Sequence, residues 1–221
     1  VEYNVILNAP DVKMIYHDGT RFIATLTDKQ GNPIRDAAIE ITINGKTYTK
    51  TTDEKGVVSL GLSLDSGIYS VVVKFKGLLN YTPITKQAKV TIEPTVKGLD
   101  VVKMFRNNTQ YYAIFTDSQG NPLKNKDIQF NINGVFYTKT TNDKGIAMMG
   151  INLNPGKYVI TAINLVTGEQ SGNNITVKSL IVQNDLTKYY LNASRFQTTI
   201  YNKDGSLAVN KEVTFNINGV F

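Results

Sequence analysis

The sequence predicts an all-β chain, built as tandem two-sheet β-sandwiches set end to end in an extended rod. Three observations predict it. Apolar residues alternate with polar ones in short runs, which is the spacing of a half-buried strand. An Asn-Gly pair closes such a run three times, at Asn44-Gly45, Asn133-Gly134 and Asn218-Gly219. Glycines punctuate the chain at intervals that repeat from one copy to the next.

The Asn-Gly runs are the plainest copies. Ile39 to Thr49, Ile128 to Thr138 and Val213 to Phe221 each alternate up to the pair. Both turn residues tolerate positive φ, as a type I′ hairpin requires. The hairpins recur after 89 and then 85 residues. Gly31, Gly120 and Gly205 each precede the hairpin Asn by thirteen positions. Gly56 and Gly145 follow it by twelve, and Gly67 and Gly156 come eleven later. Spacing held this constant argues for one topology in successive units. The expected units are residues 1–97, 98–183 and 184–221, the last incomplete.

In the second unit the pattern gives seven strands, over 101–106, 110–116, 127–132, 135–141, 146–153, 157–164 and 173–182. Ala147, Met149, Ile151 and Leu153 alternate inward on one strand, and Tyr158, Ile160 and Ala162 on the next. Their first-unit counterparts are Val58, Leu60, Leu62 and Leu64, then Tyr69, Val71, Val73 and Phe75. Short strands with turn signals about every 8–12 residues spell an immunoglobulin-like sandwich. No segment carries a sustained helical period, so helix should be close to absent. A unit of this length buries roughly 60–65% of its unfolded surface. Gly67-x-Tyr69 and Gly156-x-Tyr158 fit a tyrosine corner, in which a phenol ties down a long connection, and fit a plain core aromatic equally well.

Between units the chain runs Thr91 to Asp100, then Ile175 to Asn184. Neither stretch is a Gly/Ser or acidic tether, and the second is itself strand-like, so stiff joints are expected. Three strands of a third unit would leave Phe196, Val213, Phe215 and Ile217 wet. Either the segment is cut at an arbitrary point or another chain completes it by strand addition.

Composition bounds the function. The chain is 41% hydrophobic and 19% charged, the balance of a globular protein. Lys and Arg number 24 against 18 Asp and Glu, a net +6. The lysines are spread over strands and turns as solvated faces, so no nucleic-acid partner is expected. There is no cysteine, and His17 is the only histidine. That excludes thiolate metal sites, Cys nucleophiles and any Ser-His-Asp array repeated unit by unit. No apolar run reaches the length of a membrane span, so this segment is not expected to touch a membrane. The chain opens on Val1 rather than Met and is expected to be a mature or excised segment, part of a longer surface chain.

Four sets of words carry a resemblance: Asp117 to Pro122, Phe130-Asn131-Ile132-Asn133-Gly134-Val135-Phe136-Tyr137, Thr140-Thr141-Asn142 to Gly145, and Asn152-Leu153-Asn154-Pro155-Gly156 to Tyr158. They resemble the immunoglobulin-like repeats of adhesin-like surface proteins of methanogenic archaea. More distantly, they are similar to bacterial Ig-like domains of invasin and intimin type. The first unit keeps the spacing but departs in wording at Ile41 to Lys46 and at Asp65-Ser66-Gly67. The resemblance spans nearly the whole chain, and its motifs are turns and core positions, silent on ligand. It implies long cell-surface stalks of tandem sandwiches that present a binding tip or form fibres.

Candidate chemistry is sparse. Asn80, Asn107, Asn174 and Asn192 head Asn-x-Ser/Thr sequons for N-glycosylation. Asn107 and Asn192 share one turn in successive units, four residues after Lys103 and Lys188, where the first unit has His17. Lys13, Lys103 and Lys188 align as first-strand lysines able to cross-link to a facing Asn or Asp. Asn173 and Asn174 are such partners in the second unit only, so solvated edge lysines are the better reading. Asp28, Asp53, Asp117 and Asp143 lie in Gly-containing turns, but none completes a calcium loop. Turn-forming Asp explains them, with a structural calcium between units left open and no other cofactor expected. No carboxylate pair recurs beside a base, so the chain is not expected to be an enzyme. The expected role is that of spacer repeats in a cell-surface adhesin or extracellular fibre. Two rivals remain. One is a binding module gripping a cell-surface glycan or protein through Tyr48, Tyr112, Tyr137 and lysines. The other is a fibre subunit that self-associates through the incomplete third repeat.

Overall fold

The computed structural model describes residues 2–220, and every regular element among them is a strand. The first unit comprises β1 (Val5–Asn8), β2 (Val12–Ile15), β3 (Arg21–Asp28), β4 (Ala38–Ile43), β5 (Lys46–Thr51), β6 (Val57–Gly61), β7 (Gly67–Phe75) and β8 (Ile84–Glu93). A three-stranded sheet β1-β3-β6 faces a five-stranded sheet β2-β8-β7-β4-β5. The second unit repeats this with β9 (Val96–Gly98), β10 (Val101–Met104), β11 (Gln110–Phe115), β12 (Asp127–Ile132), β13 (Val135–Thr140), β14 (Ile146–Gly150), β15 (Gly156–Ile163) and β16 (Gln170–Lys178). Its sheets are β9-β11-β14 and β10-β16-β15-β12-β13. In the third unit β17 (Ile181–Gln183) and β18 (Thr198–Ile200) pair, with isolated bridges at Tyr201–Leu207 and Ile217–Val220, fewer strands among the described residues than the three expected.

Eight strands form where the pattern gives seven, because the opening strand of each unit changes sheets. β9 runs antiparallel to β11, and three residues later β10 runs parallel to β16. A carboxylate marks each crossing. Asp11 Oδ1 accepts the Lys89 N–H at 2.8 Å, and Asp100 Oδ1 accepts that of Asn174 at 2.8 Å. The same crossing moves the unit boundaries. Val96 is buried in the second core and pairs with Phe115, so Val96 and Lys97 lie with the second unit and not at the end of the first. Likewise the strand expected over 173–182 is two. It breaks at Ser179-Leu180, and Ile181–Gln183 pairs with the third unit.

Each full unit has its own core. Phe22, Leu26, Ile39, Ile41, Val73, Phe75 and Val90 fill the first, and Tyr111, Phe115, Ile128, Phe130, Ile160 and Ile175 fill the second. All three hairpins turn on positive-φ Asn-Gly, at Asn44 (φ 49°), Asn133 (φ 53°) and Asn218 (φ 50°). The tyrosine corner is present twice: Tyr69 donates to Asp65 O at 2.8 Å and Tyr158 to Asn154 O at 2.9 Å. A plain core aromatic would leave those phenols without a role.

Candidate functional site at the joints between units

The joint between units is built twice from the same atoms. Tyr16 N–H donates to Glu93 O at 3.0 Å, and Phe105 N–H to Lys178 O at 2.8 Å. Across the linker, Thr116 N–H donates to Thr95 O at 2.9 Å and Tyr201 N–H to Leu180 O at 2.8 Å. The residue ending β2 or β10 then packs on the turn glycine of the next unit. A Cβ on Gly120 would stand 3.0 Å from Ile15 Cδ1, and one on Gly205 3.8 Å from Met104 Cγ. These apolar ends lie two residues before the positive-φ residues His17 and Arg106, and nothing in strand alternation singles them out.

At the first joint lies a buried clasp. Thr95 donates from its N–H to Glu169 Oε2 at 2.5 Å and from Oγ1 at 2.7 Å. Asn164 Nδ2 donates to Thr95 Oγ1 at 3.2 Å and to Thr116 O at 2.9 Å. Thr95, Asn164 and Glu169 are all buried, so each polar atom needs these partners. Tyr16 of the first unit lies close by: burial, then the charges of Asp65 and Glu169, push its phenol pKa up. Glu93 binds Lys13 at 3.6 Å and Lys97 at 3.8 Å on the same joint. A cleft of about 390 Å³ remains there, lined by Ile15, Pro94, Thr95, Ile114 and Gly120 among others. The clasp residues carry no motif and come together only through the sheet crossing.

The aligned lysines separate. β2 pairs Met14 with Ile92 where β10 pairs Lys103 with Val177, so Met14 is the counterpart of Lys103, and Lys13 is one residue out of register. Lys13 is exposed. Lys103 is not the solvated edge lysine expected: it is 5% exposed, and Nζ donates to Ile151 O at 2.7 Å and Thr109 O at 3.2 Å. Burial pushes its pKa down. Lys188 repeats one of these bonds, to Ser194 O at 3.1 Å. Asn173 and Asn174 bond elsewhere. Asn173 Oδ1 accepts the Tyr111 hydroxyl at 2.8 Å, and both amides donate to the Asp100 carboxylate at 3.2 and 3.1 Å. The backbone N–H of Asn174, then its side-chain amide, hold the Asp100 carboxyl below its ordinary range. Burial first, then the Asp100 charge, pushes the Tyr111 phenol up to about 12.

The sequons divide by what their amides do. Asn107 Oδ1 accepts the Thr109 N–H at 2.8 Å, closing the turn, as Asn192 Oδ1 does for Ser194 at 2.8 Å. Asp18 fills that place in the first unit, accepting from Thr20 N at 2.8 Å; His17, one residue earlier, instead stacks on Tyr16 at 3.9 Å. Asn107 Nδ2 donates across the second joint to Lys203 O at 2.8 Å. Asn80 sits at the tip of the exposed Leu78–Tyr81 turn. Among the turn acids, Asp28 accepts from Gln30 and Asn32, Asp117 from Gln119 and Asn121, and Asp53 from Lys55 and Val57. Asp143 does not hold the matching turn: Asn142 does, accepting from Lys144 and Ile146. Among the described residues, no group of three or more His, Cys, Asp or Glu gathers as a metal-ligand set.

Tyr48 and Tyr137 are exposed at equivalent edge-strand positions of separate units, and Tyr112 is exposed on the opposite sheet of the second. The structure does not bring them together. Tyr3 and Tyr81 do meet, with ring centroids 6.0 Å apart at 52°, beside a cleft of about 270 Å³ that Asn4, Asp28 and Gln30 also line.

No protein-family model matches the chain, and no curated protein matches it. Solved structures similar to it include a bacterial ice-binding adhesin of 1.5 MDa, at 14% identity and a TM-score of 0.32, over 81% of this chain and 65% of that one. A chimeric titin Z1Z2 tandem aligns at 14% identity and a TM-score of 0.33, over 80% of this chain and 98% of that one. Fibronectin(III)-like modules of Clostridium thermocellum CbhA align at 16% identity and 0.29, over 79% and 94%. The aligned stretch covers about two thirds of the solved adhesin chain, and the sandwich itself is read from this chain's own two-sheet strand order.

Proposed function

We propose that the chain is a run of spacer units from a longer cell-surface adhesin-like protein or extracellular fibre, set end to end to hold a binding region away from the envelope. The observation that supports this best is the joint made twice from equivalent atoms, with two linking residues and little slack. A fixed rotation and translation per unit is what a stack of sandwiches needs to grow into a stiff rod. The resemblance to archaeal surface repeats fits the same reading, with the sequons as glycan sites and no catalytic role. Small-angle scattering tests it. A compact chain of this length has a radius of gyration of about 17 Å; stacked units give a value well above that, which four glycines inserted between Pro94 and Thr95 lower or broaden. A value near the compact one overturns the reading.

One observation favours a binding role as a second reading. The Tyr3–Tyr81 pair and its amide-lined cleft belong to the first unit alone, and aromatic faces flanked by amides suit a sugar ring. Loss of glycan-array signal on Tyr81→Ala tests it, and an array with no signal for the native chain sinks it.

A further inference from the structure

The two joints also differ at the turn that follows β2 or β10. In the second, Asn107 Nδ2 donates to Lys203 O at 2.8 Å. In the first, the equivalent residue is Asp18, whose carboxylate accepts from Ile15 and Thr20 at 2.8 Å within its own turn and has no N–H to offer the neighbouring unit. Asn107 is thus a residue with two tasks. Its carbonyl closes the turn onto Thr109, as Asp18 does with Thr20, and its amide reaches across the joint.

Asn107-Asn108-Thr109 is also a sequon, and N-glycosylation replaces one hydrogen of that same nitrogen with a sugar. Nδ2 lies 2.8 Å from a main-chain carbonyl of the next unit, so a sugar ring attached there is crowded against the Lys203 turn even though the nitrogen keeps its second hydrogen. We propose that Asn107 is the pin of the second joint and that its sequon makes the pin modifiable: an N-linked glycan on Nδ2 crowds the Lys203 contact, so glycosylation at Asn107 loosens that joint and leaves the first one stiff. This rests on the stacked-unit reading above.

The other sequons sort by the same test. Asn174 Nδ2 is held by Asp100 within its own unit, whereas Asn192 uses its Oδ1 within its own turn and, among the described residues, neither Asn80 Nδ2 nor Asn192 Nδ2 donates a hydrogen bond. A glycan on Asn80 displaces no inter-unit contact.

The chain has no cysteine, so spin-label pairs can be placed cleanly. Lys139→Cys with Lys211→Cys spans the second joint, and Lys50→Cys with Lys139→Cys spans the first. Asn107→Asp keeps the turn-closing oxygen, installs the residue natural at Asp18 and removes the donor. The expected result is an open population at the second joint raised about fivefold, the effect of one neutral hydrogen bond, with the first joint unchanged. Protein secreted from a glycosylating host, with Asn107 occupancy confirmed by glycopeptide mass, should show the same broadening. A second joint equally narrow in native and Asn107→Asp chains overturns the pin, as does one already broad in the native chain beside a narrow first joint. Asn107-glycosylated chains as narrow as bare ones overturn the crowding. Broad distributions at both native joints would instead sink the stacked-unit reading itself.

Discussion

The first and second units share strand order and register, yet one end of the second core is rebuilt in polar atoms. Phe22, Ala9, Ala88 and Met14 stand in the first unit where Tyr111, Gly98, Asn173 and Lys103 stand in the second. The changes come as a set. A hydroxyl on the buried ring needs an acceptor, which Asn173 Oδ1 supplies at 2.8 Å. The hydroxyl and carboxamide then fill the space of a Cβ, so β9 must carry glycine: an alanine at Gly98 would overlap both the Tyr111 hydroxyl and Asn173 Oδ1. Buried polar groups survive in this sandwich only in fully satisfied clusters, and the unit that has them is also the one whose linker is clasped by Glu169.

The strongest way to break that comparison is Gly98→Ala. It forces a methyl group into the Tyr111–Asn173 bond and should cost about 3 kcal/mol of second-unit stability. The triple change Gly98→Ala, Tyr111→Phe, Asn173→Ala, which writes the first unit's residues into the second, should recover all but about 1 kcal/mol. Urea unfolding followed by unit-resolved hydrogen exchange reads both, and a triple variant as weak as the single one would show that the set is not coupled.

Next in size is Thr95→Val, which strips one donor from a buried carboxylate. The expected loss is about 2 kcal/mol, confined to the second unit and its joint. The first-unit counterpart, Ile6, is half exposed and Ile6→Val should change nothing measurable in the same melt. The tyrosine corners sharpen the comparison from the other side, because their geometry is the same in both units. Tyr69→Phe and Tyr158→Phe should each cost about 1 kcal/mol, and a clear inequality between them would mean that the two corners carry different loads.

The smallest effect is on pH. Burial lowers the Lys103 pKa below 10.5, so in the window just below 10.5 the unfolded chain binds more protons there and stability from this group rises with pH. Tyr111 acts oppositely. Its pKa is raised from 10.0 to about 12, so its contribution is complete below pH 10 and is lost as pH climbs toward 12. The second unit should therefore weaken above pH 10 and Tyr111→Phe should remove that weakening, whereas the first unit, with Phe22 and Met14 in these places, keeps only the raised phenols of Tyr16 and Tyr69 and should weaken less. On the acid side Asp28 and Asp117 are both held low, Asp28 chiefly by the Asn32 amide, and Asp117, against burial as its largest single influence, by the sum of hydrogen bonds from Asn121, Gln119 and Gly120. Both units should lose stability together as pH falls through 3.8 and below, and thermal melts from pH 2 to 5 check it.

Much of this architecture is readable from residues alone. Strand alternation, positive-φ Asn-Gly turns and constant glycine spacing are local properties, each satisfied within a few residues of chain, so they declare the sandwich and its repetition directly. Register is less legible. Lys13 and Lys103 look equivalent when counted from nearby lysines, and only the pairing of β2 with β8 and of β10 with β16 puts Met14 opposite the buried ammonium. Asp18 was masked by His17 for the same reason, a one-residue offset that reverses which face a side chain takes.

Fold class, hairpins, tyrosine-corner positions and the succession of units were thus determined by the sequence itself, because backbone turn preference and period-two burial act over short range. What only the tertiary structure decided is where each opening strand changes sheets, which lysine is buried, and that Thr95 meets Glu169 and Asn107 meets Lys203. Those contacts join residues 74 and 96 positions apart. Which groups lose water there is settled by how whole sheets and units pack, and no local pattern records it.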